Sequence, residues 1–161
     1  MNQTENFRGI TLMELICVMA CLSILVSLTT LAWFYYRVKI ERHTALLQVS
    51  HAIEYARMQA ISLQVPMIYC GSSDGWHCDG RWQKGQIIHA VNSSTVLQRY
   101  LPIAQVQLSF HANFGHNQQI KFMTTGFTNG QNGRFDFCIK PILDIKPCRS
   151  LILHFSGQTI E

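Results

Sequence analysis

Arg8-Gly9-Ile10-Thr11-Leu12-Met13-Glu14 leads into Leu15-Ile16-Cys17-Val18-Met19-Ala20-Cys21-Leu22, and no acid, base or histidine follows until Arg37. Leu15 to Tyr36 is thus an uncharged run of 22 residues. As a helix it would be about 33 Å long at ~1.5 Å per residue, enough to cross a hydrocarbon core of about 30 Å. A cleaved secretory signal fits less well, because its apolar region is usually about 7–15 residues and its cleavage site follows small residues in an A-x-A pattern. Val18-Met19-Ala20-Cys21 loosely matches the box before a lipidated cysteine, but Met19 fits that box poorly and the apolar run continues for 15 residues past Cys21. A carboxylate inside an apolar helix costs about 2.5–3.5 kcal/mol on insertion scales. Glu14 therefore either has a partner and a function or lies at headgroup level near the start of the span.

Outward from the span the helical pattern continues. Val38, Ala45, Val49, Ala52, Ala56, Ala60 and Leu63 recur at steps of three, four or seven, and Leu46 and Ile53 widen the stripe. Arg37, Lys39, Glu41, Arg42, Gln48, Glu54 and Arg57 are placed on the other faces. Residues 37–64 are therefore expected to form an amphipathic continuation of the 10–36 span, closed by Pro66. The stripe covers about seven turns before Pro66, too few for a long coiled coil, and points to docking within the chain.

The 161 residues are 48% hydrophobic and only 14% charged, against an average charged share of about 25%, which excludes a disordered chain. From Pro66 onward, short runs rich in Ile, Val, Phe, Tyr and Leu alternate with Gly, Asn, Ser and Asp clusters, which are strand signals. The expected strands are Met67–Cys70, Gly85–Val91, Thr95–Tyr100, Val106–His111, Gln119–Met123, Arg134–Ile139 and Leu151–Phe155. In the last of these, Leu151, Leu153 and Phe155 should face the core. The fold class is α+β: a long N-terminal helix, transmembrane in its first half, packed on a C-terminal antiparallel β-sheet domain over residues 65–161.

Six cysteines fall into three groups: Cys17 and Cys21 in the span, Cys70 with Cys78, and Cys138 with Cys148. Four cysteines outside the membrane permit three pairings, and the expectation is two local bonds, Cys70–Cys78 and Cys138–Cys148, each closing a short loop between strand ends. The rival is a metal site of Cys70, His77 and Cys78, disfavoured because paired Cys-x-x-Cys spacing is absent. Cys17 and Cys21, four apart on one helix face, are expected to pack against other apolar helices. No Gly-x-Ser-x-Gly, His-Glu-x-x-His, phosphate loop or dinucleotide fingerprint occurs, so neither an enzyme nor a cofactor is expected, and the histidines are assigned no role.

Arg8-Gly9, then Ile10-Thr11-Leu12-Met13-Glu14 and a long apolar helix, resembles the class III signal of type IV pilins and pseudopilins. The resemblance implies that a prepilin peptidase cuts between Gly9 and Ile10, removing residues 1–9, and that the new amino terminus is methylated. Ile10 departs from the Phe most often found first in the mature family. Glu14 becomes the fifth mature residue, and the family's glutamate there pairs with the amino terminus of a neighbouring subunit. Each charge is costly alone in lipid, and pairing offsets both desolvation costs while fixing the register of one subunit against the next. The basic residues Arg37, Lys39 and Arg42 after the span would by the positive-inside rule face the cytoplasm, contrary to the orientation of this family. The signal motif and the need of the cysteines for an oxidising compartment decide for a single-pass inner-membrane protein with a periplasmic C-terminal domain.

The soluble half resembles the GspH/FimT family of minor pilins and pseudopilins. The residues are Ala56-Arg57-Met58-Gln59-Ala60 at the helix end, the strand ending at Cys70, and Cys78-Asp79-Gly80-Arg81-Trp82-Gln83-Lys84-Gly85. Then come Ile120-Lys121-Phe122 with Gly126, Phe135-Asp136-Phe137-Cys138, and Ser156-Gly157 after the closing strand. The resemblance implies a low-abundance pilin, of FimU or FimT type, that helps initiate or cap a filament with other minor and major pilins. The alternative is the H-type pseudopilin of a type II secretion system. Some FimT members bind DNA through a C-terminal Gly-Arg-x-Arg motif, whereas this chain reads Gly157-Gln158-Thr159-Ile160-Glu161. Residues 66–161 hold eight Lys and Arg against five Asp and Glu, a net charge of +3, and Lys140, Lys146 and Arg149 are the one candidate DNA-binding patch. A solvated face is the expected role of those three bases.

Overall fold

The computed structural model describes residues 11–114, 118–139 and 148–160. Helix α1 runs over Leu12–Leu63. It is followed by strands β1 (Met67–Gly71), β2 (Gln86–Ala90), β3 (Val96–Tyr100), β4 (Val106–Ala112), β5 (Gln119–Phe122), β6 (Gly133–Ile139), β7 (Cys148–Leu153) and β8 (Thr159–Ile160). A short 3-10 helix, Trp82–Lys84, precedes β2. The chain divides into two units, Met1–Arg37 and Val38–Glu161.

In the first unit, α1 is the one helix among the described residues long and apolar enough to cross a membrane, and its described side chains from Leu12 to Arg37 are exposed. Its hydroxyls bond to their own helix. Ser23 donates to the Ala20 carbonyl (2.8 Å), Ser27 to Ile24 (2.7 Å), Thr29 to Val26 (2.9 Å) and Thr30 to Ser27 (2.9 Å). Such bonds let a polar side chain sit in hydrocarbon with its donor satisfied.

In the second unit the strands form two antiparallel four-stranded sheets, ordered β3-β2-β1-β5 and β4-β6-β7-β8. The helix contributes Ala45, Leu46, Val49, Ala52, Ile53, Ala56 and Ala60 to the core. Four alanines in this stripe keep its surface low, so bulky sheet residues can approach the backbone. Met67, Tyr69, Ile88, Ile120 and Phe122 enter from the first sheet, and Val106, Leu108, Phe110, Phe135, Phe137, Leu151 and Leu153 from the second. Trp82 lies edge-on to Tyr69 and Phe135, at centroid distances of 5.1 Å in each case, and so joins the two sheets' aromatic residues.

Four details differ from the expectation. Arg42 is largely buried instead of lying on the polar face, because it stands three, four and seven residues before Ala45, Leu46 and Val49 and so extends their stripe. An arginine can bury its methylene stem there while its head reaches out. Leu63, expected on the stripe, is exposed at the last turn. Gln64 ends the helix in the left-handed region (φ 54°), its side-chain amide donating to the Ile61 carbonyl at 2.7 Å, and Pro66 follows. Finally, β7 starts at Cys148 and stops at Leu153, so Phe155 lies beyond it, exposed and stacked on Phe127 (6.3 Å).

Candidate functional site

The start of α1 is the first site. The Glu14 N–H donates to Thr11 Oγ1 at 3.3 Å and the Leu15 N–H to the Thr11 carbonyl at 3.2 Å, so Thr11 is the N-cap and Glu14 the third helical residue. Thr11-Leu12-Met13-Glu14 is a capping-box sequence, in which Ser or Thr is followed three residues later by Glu or Gln. A carboxylate in the first turn also complements the positive end of the helix dipole. Glu14 is exposed, as are Cys17 and Cys21, both free. Gly9 and Ile10 lie outside the described residues.

The second site is the loop between β1 and the 3-10 helix. Cys70 is bonded to Cys78 with their Cα atoms 5.5 Å apart. Asp74 organises the loop: its carboxylate accepts from the N–H groups of His77 and Trp76 (2.8 Å each) and from Ser72 Oγ (3.0 Å), and lies 2.6 Å from His77 Nδ1. The bonds from His77, then from Trp76, hold the Asp74 carboxyl well below the usual carboxylate range. Asp79 is lowered as well. Burial, which raises it, is outweighed by bonds from the Ser73 hydroxyl and from the N–H groups of Arg81 and Ser73. Trp76 is exposed, with the Arg99 guanidinium 3.7 Å above its ring.

The third site is the second sheet's outer surface. Cys138 and Cys148 face each other across β6 and β7 and are bonded. Arg149, beside Cys148, is exposed, and Lys140 and Lys146 lie outside the described residues. Ser150 Oγ donates to Asp136 (2.7 Å), Arg134 Nε lies 3.0 Å from the same carboxylate, and His111 is 3.7 Å from it.

Of the histidines, the structure brings His89 rather than His77 to the cysteines. The ligand atoms of Cys70, Cys78 and His89 lie within 4.8 Å of one another, whereas the His77 ring turns to Asp74. Spacing along the chain hides this, since His89 reaches Cys78 only through the pairing of β1 with β2. Gln86 was likewise not legible as a buried polar hub. Its Oε1 accepts from Tyr69 Oη (3.2 Å) and Gln48 Nε2 (3.3 Å), and its Nε2 donates to the Trp82 carbonyl (2.9 Å).

Residues 45–157 match the family model described as type II transport protein GspH. Two solved structures of the type IV minor pilin FimU from Pseudomonas aeruginosa (strain PAO1), in different crystal forms, share the fold. Each is 18% identical to this chain, with TM-scores of 0.60 and 0.57. The matches cover 76% and 73% of this chain, and 88% and 90% of theirs. No curated protein matches the chain by sequence. The architecture, a long N-terminal helix packed on antiparallel sheets, is the type IV pilin-like α+β fold. With the family model covering more than half its length, the chain belongs to the GspH family.

Proposed function

We propose that this chain is a minor pilin acting in the initiation or tip assembly of a type IV pilus. Residues 1–9 are removed as a leader, residues 10–36 anchor the protein in the inner membrane, and the remainder lies in the periplasm. The observation that carries this reading is the joining of a GspH-family domain to one apolar helix whose first turn holds Glu14. No reacting groups are required; the role is to bind other pilins through helix and domain surfaces. Coexpression with a prepilin peptidase should shorten the chain by nine residues, and Gly9→Ala should block this. An intact Met1 in protein taken from filaments would contradict the reading.

The H-type pseudopilin of a type II secretion system is the second reading, favoured by the description of the matched family. Deleting the gene separates the two: loss of surface pili with normal protein export supports the first, and the converse supports the second. A DNA receptor is disfavoured by the C-terminal end. Gly157-Gln158-Thr159-Ile160 sets glutamine and isoleucine where the Gly-Arg-x-Arg motif has its two arginines, so the phosphate contacts those would make are missing.

A further inference from the structure

On the first sheet Cys70 pairs with Ile87 and Ile68 with His89. Cys70 and His89 are therefore diagonal neighbours on one face, close enough for side chains to meet. The disulfide loop carries Cys78 to that face, and this trio is the one close group of three His, Cys, Asp or Glu residues among the described residues.

The histidine is oriented for ligation. Its Nδ1 is 3.0 Å from the Ala90 carbonyl, which can only accept. Nδ1 therefore carries the proton and Nε2 the lone pair. That lone pair faces Cys78 Sγ at 3.6 Å, although a disulfide sulfur has no hydrogen to offer it. Two features of this arrangement belong to metal sites. Ligating histidines almost always donate their other ring N–H to a carbonyl or carboxylate. And with Zn–S near 2.3 Å and Zn–N near 2.0–2.1 Å, a tetrahedral site sets its sulfur and nitrogen about 3.6 Å apart.

We propose that, once a dithiol has reduced the Cys70–Cys78 bond, Cys70, Cys78 and His89 bind one zinc-class divalent cation. A thiolate of the dithiol attacks Cys78, the more accessible sulfur, and Cys70 leaves as thiolate. The second thiol of the reductant then closes its own disulfide and releases Cys78. Two electrons and two protons have passed to the cysteine pair, and the metal displaces the two protons into solvent. Three protein ligands leave the fourth position to water.

The test uses the full chain in detergent micelles, with Cys17→Ser and Cys21→Ser to remove the two free thiols. After treatment with dithiothreitol and its anaerobic removal, Co2+ is titrated while thiolate-to-cobalt charge-transfer absorption is followed. One Co2+ should bind per reduced chain and none per oxidised chain, and His89→Gln should weaken binding at least about 100-fold, the upper range for loss of a mere supporting residue. Zn2+ should also shield Cys70 and Cys78 from iodoacetamide while Cys138 and Cys148 react, a footprint that decides the matter if His89→Gln does not fold. Absorption in the oxidised chain, none in the reduced one, equal affinity in His89→Gln, or shielding confined to Cys138 and Cys148 would overturn the proposal.

Discussion

Gln86 shows how one buried amide can tie several elements together: through Tyr69, Gln48 and Trp82 it links β1, α1 and the 3-10 helix to β2. Tyr69→Phe leaves Gln86 Oε1 with Gln48 as its donor, and should cost about 1 kcal/mol in urea unfolding of residues 38–161. The same change bears on alkaline stability. Burial, with a smaller contribution from Tyr100, pushes the Tyr69 phenol well above its ordinary value. Above about pH 10 the unfolded tyrosine releases its proton while the folded one keeps it, so the unfolded state binds fewer protons and stability falls as pH rises. The parent should lose stability more steeply above pH ~10 than Tyr69→Phe does, and equal slopes would contradict a buried neutral Tyr69. At this scale the sequence was legible where partners stand close along the chain, as in Cys70–Cys78 and Cys138–Cys148. It was not legible where strand pairing does the work: His77 is adjacent to Cys78, yet His89 is the histidine that arrives.

At the scale of elements, the helix and most strands could be read from apolar period and from Gly and Asn punctuation, because each is long enough to show a period. The 3-10 helix at Trp82–Lys84 and strand β8 at Thr159–Ile160 span three and two residues, too few to carry one. The early start of β7 has a different cause: Cys148, Arg149 and Ser150 lack apolar alternation and are strand because they pair with Cys138, Phe137 and Asp136. Gly157 shows how an element is held in place. It lies in the β7–β8 turn at φ 75°, and an added Cβ would stand 2.6 Å from the Gly126 carbonyl and 3.2 Å from the Arg57 side chain of α1. Gly157→Ala should therefore combine strain with a clash against backbone and lose about 1–3 kcal/mol. Gly130 has a similar φ of 73° with nothing within 4 Å, so Gly130→Ala isolates the strain and should lose less. Thermal unfolding of the two variants of residues 38–161 compares them directly, and equal losses would remove the packing argument.

At the scale of the whole molecule, α1 is apolar and long enough to cross a membrane over its first half and is a core element over its second, and on the proposed reading the first half is the anchor. Glu14 stands at the start of that helix with two possible duties, closing a capping box and pairing with the amino terminus of a neighbour. The two can be separated by chemistry. Thr11→Ala removes the cap while keeping the charge and should weaken the helix start by about 0.5–2 kcal/mol. Glu14→Gln keeps nearly the same volume, and glutamine still serves at that position of a capping box, so only the charge is lost. Pairing between subunits in lipid depends on that charge, since an amide leaves the neighbour's ammonium without its counter-ion. The decisive measurement is fractionation of cells carrying Glu14→Gln beside the parent, with the protein quantified in membranes and in sheared filaments. The variant should be processed normally and reach normal amounts in the membrane, with strong depletion from filaments. Equal incorporation of variant and parent into filaments, or loss of the variant from the membrane fraction too, would contradict pairing through Glu14.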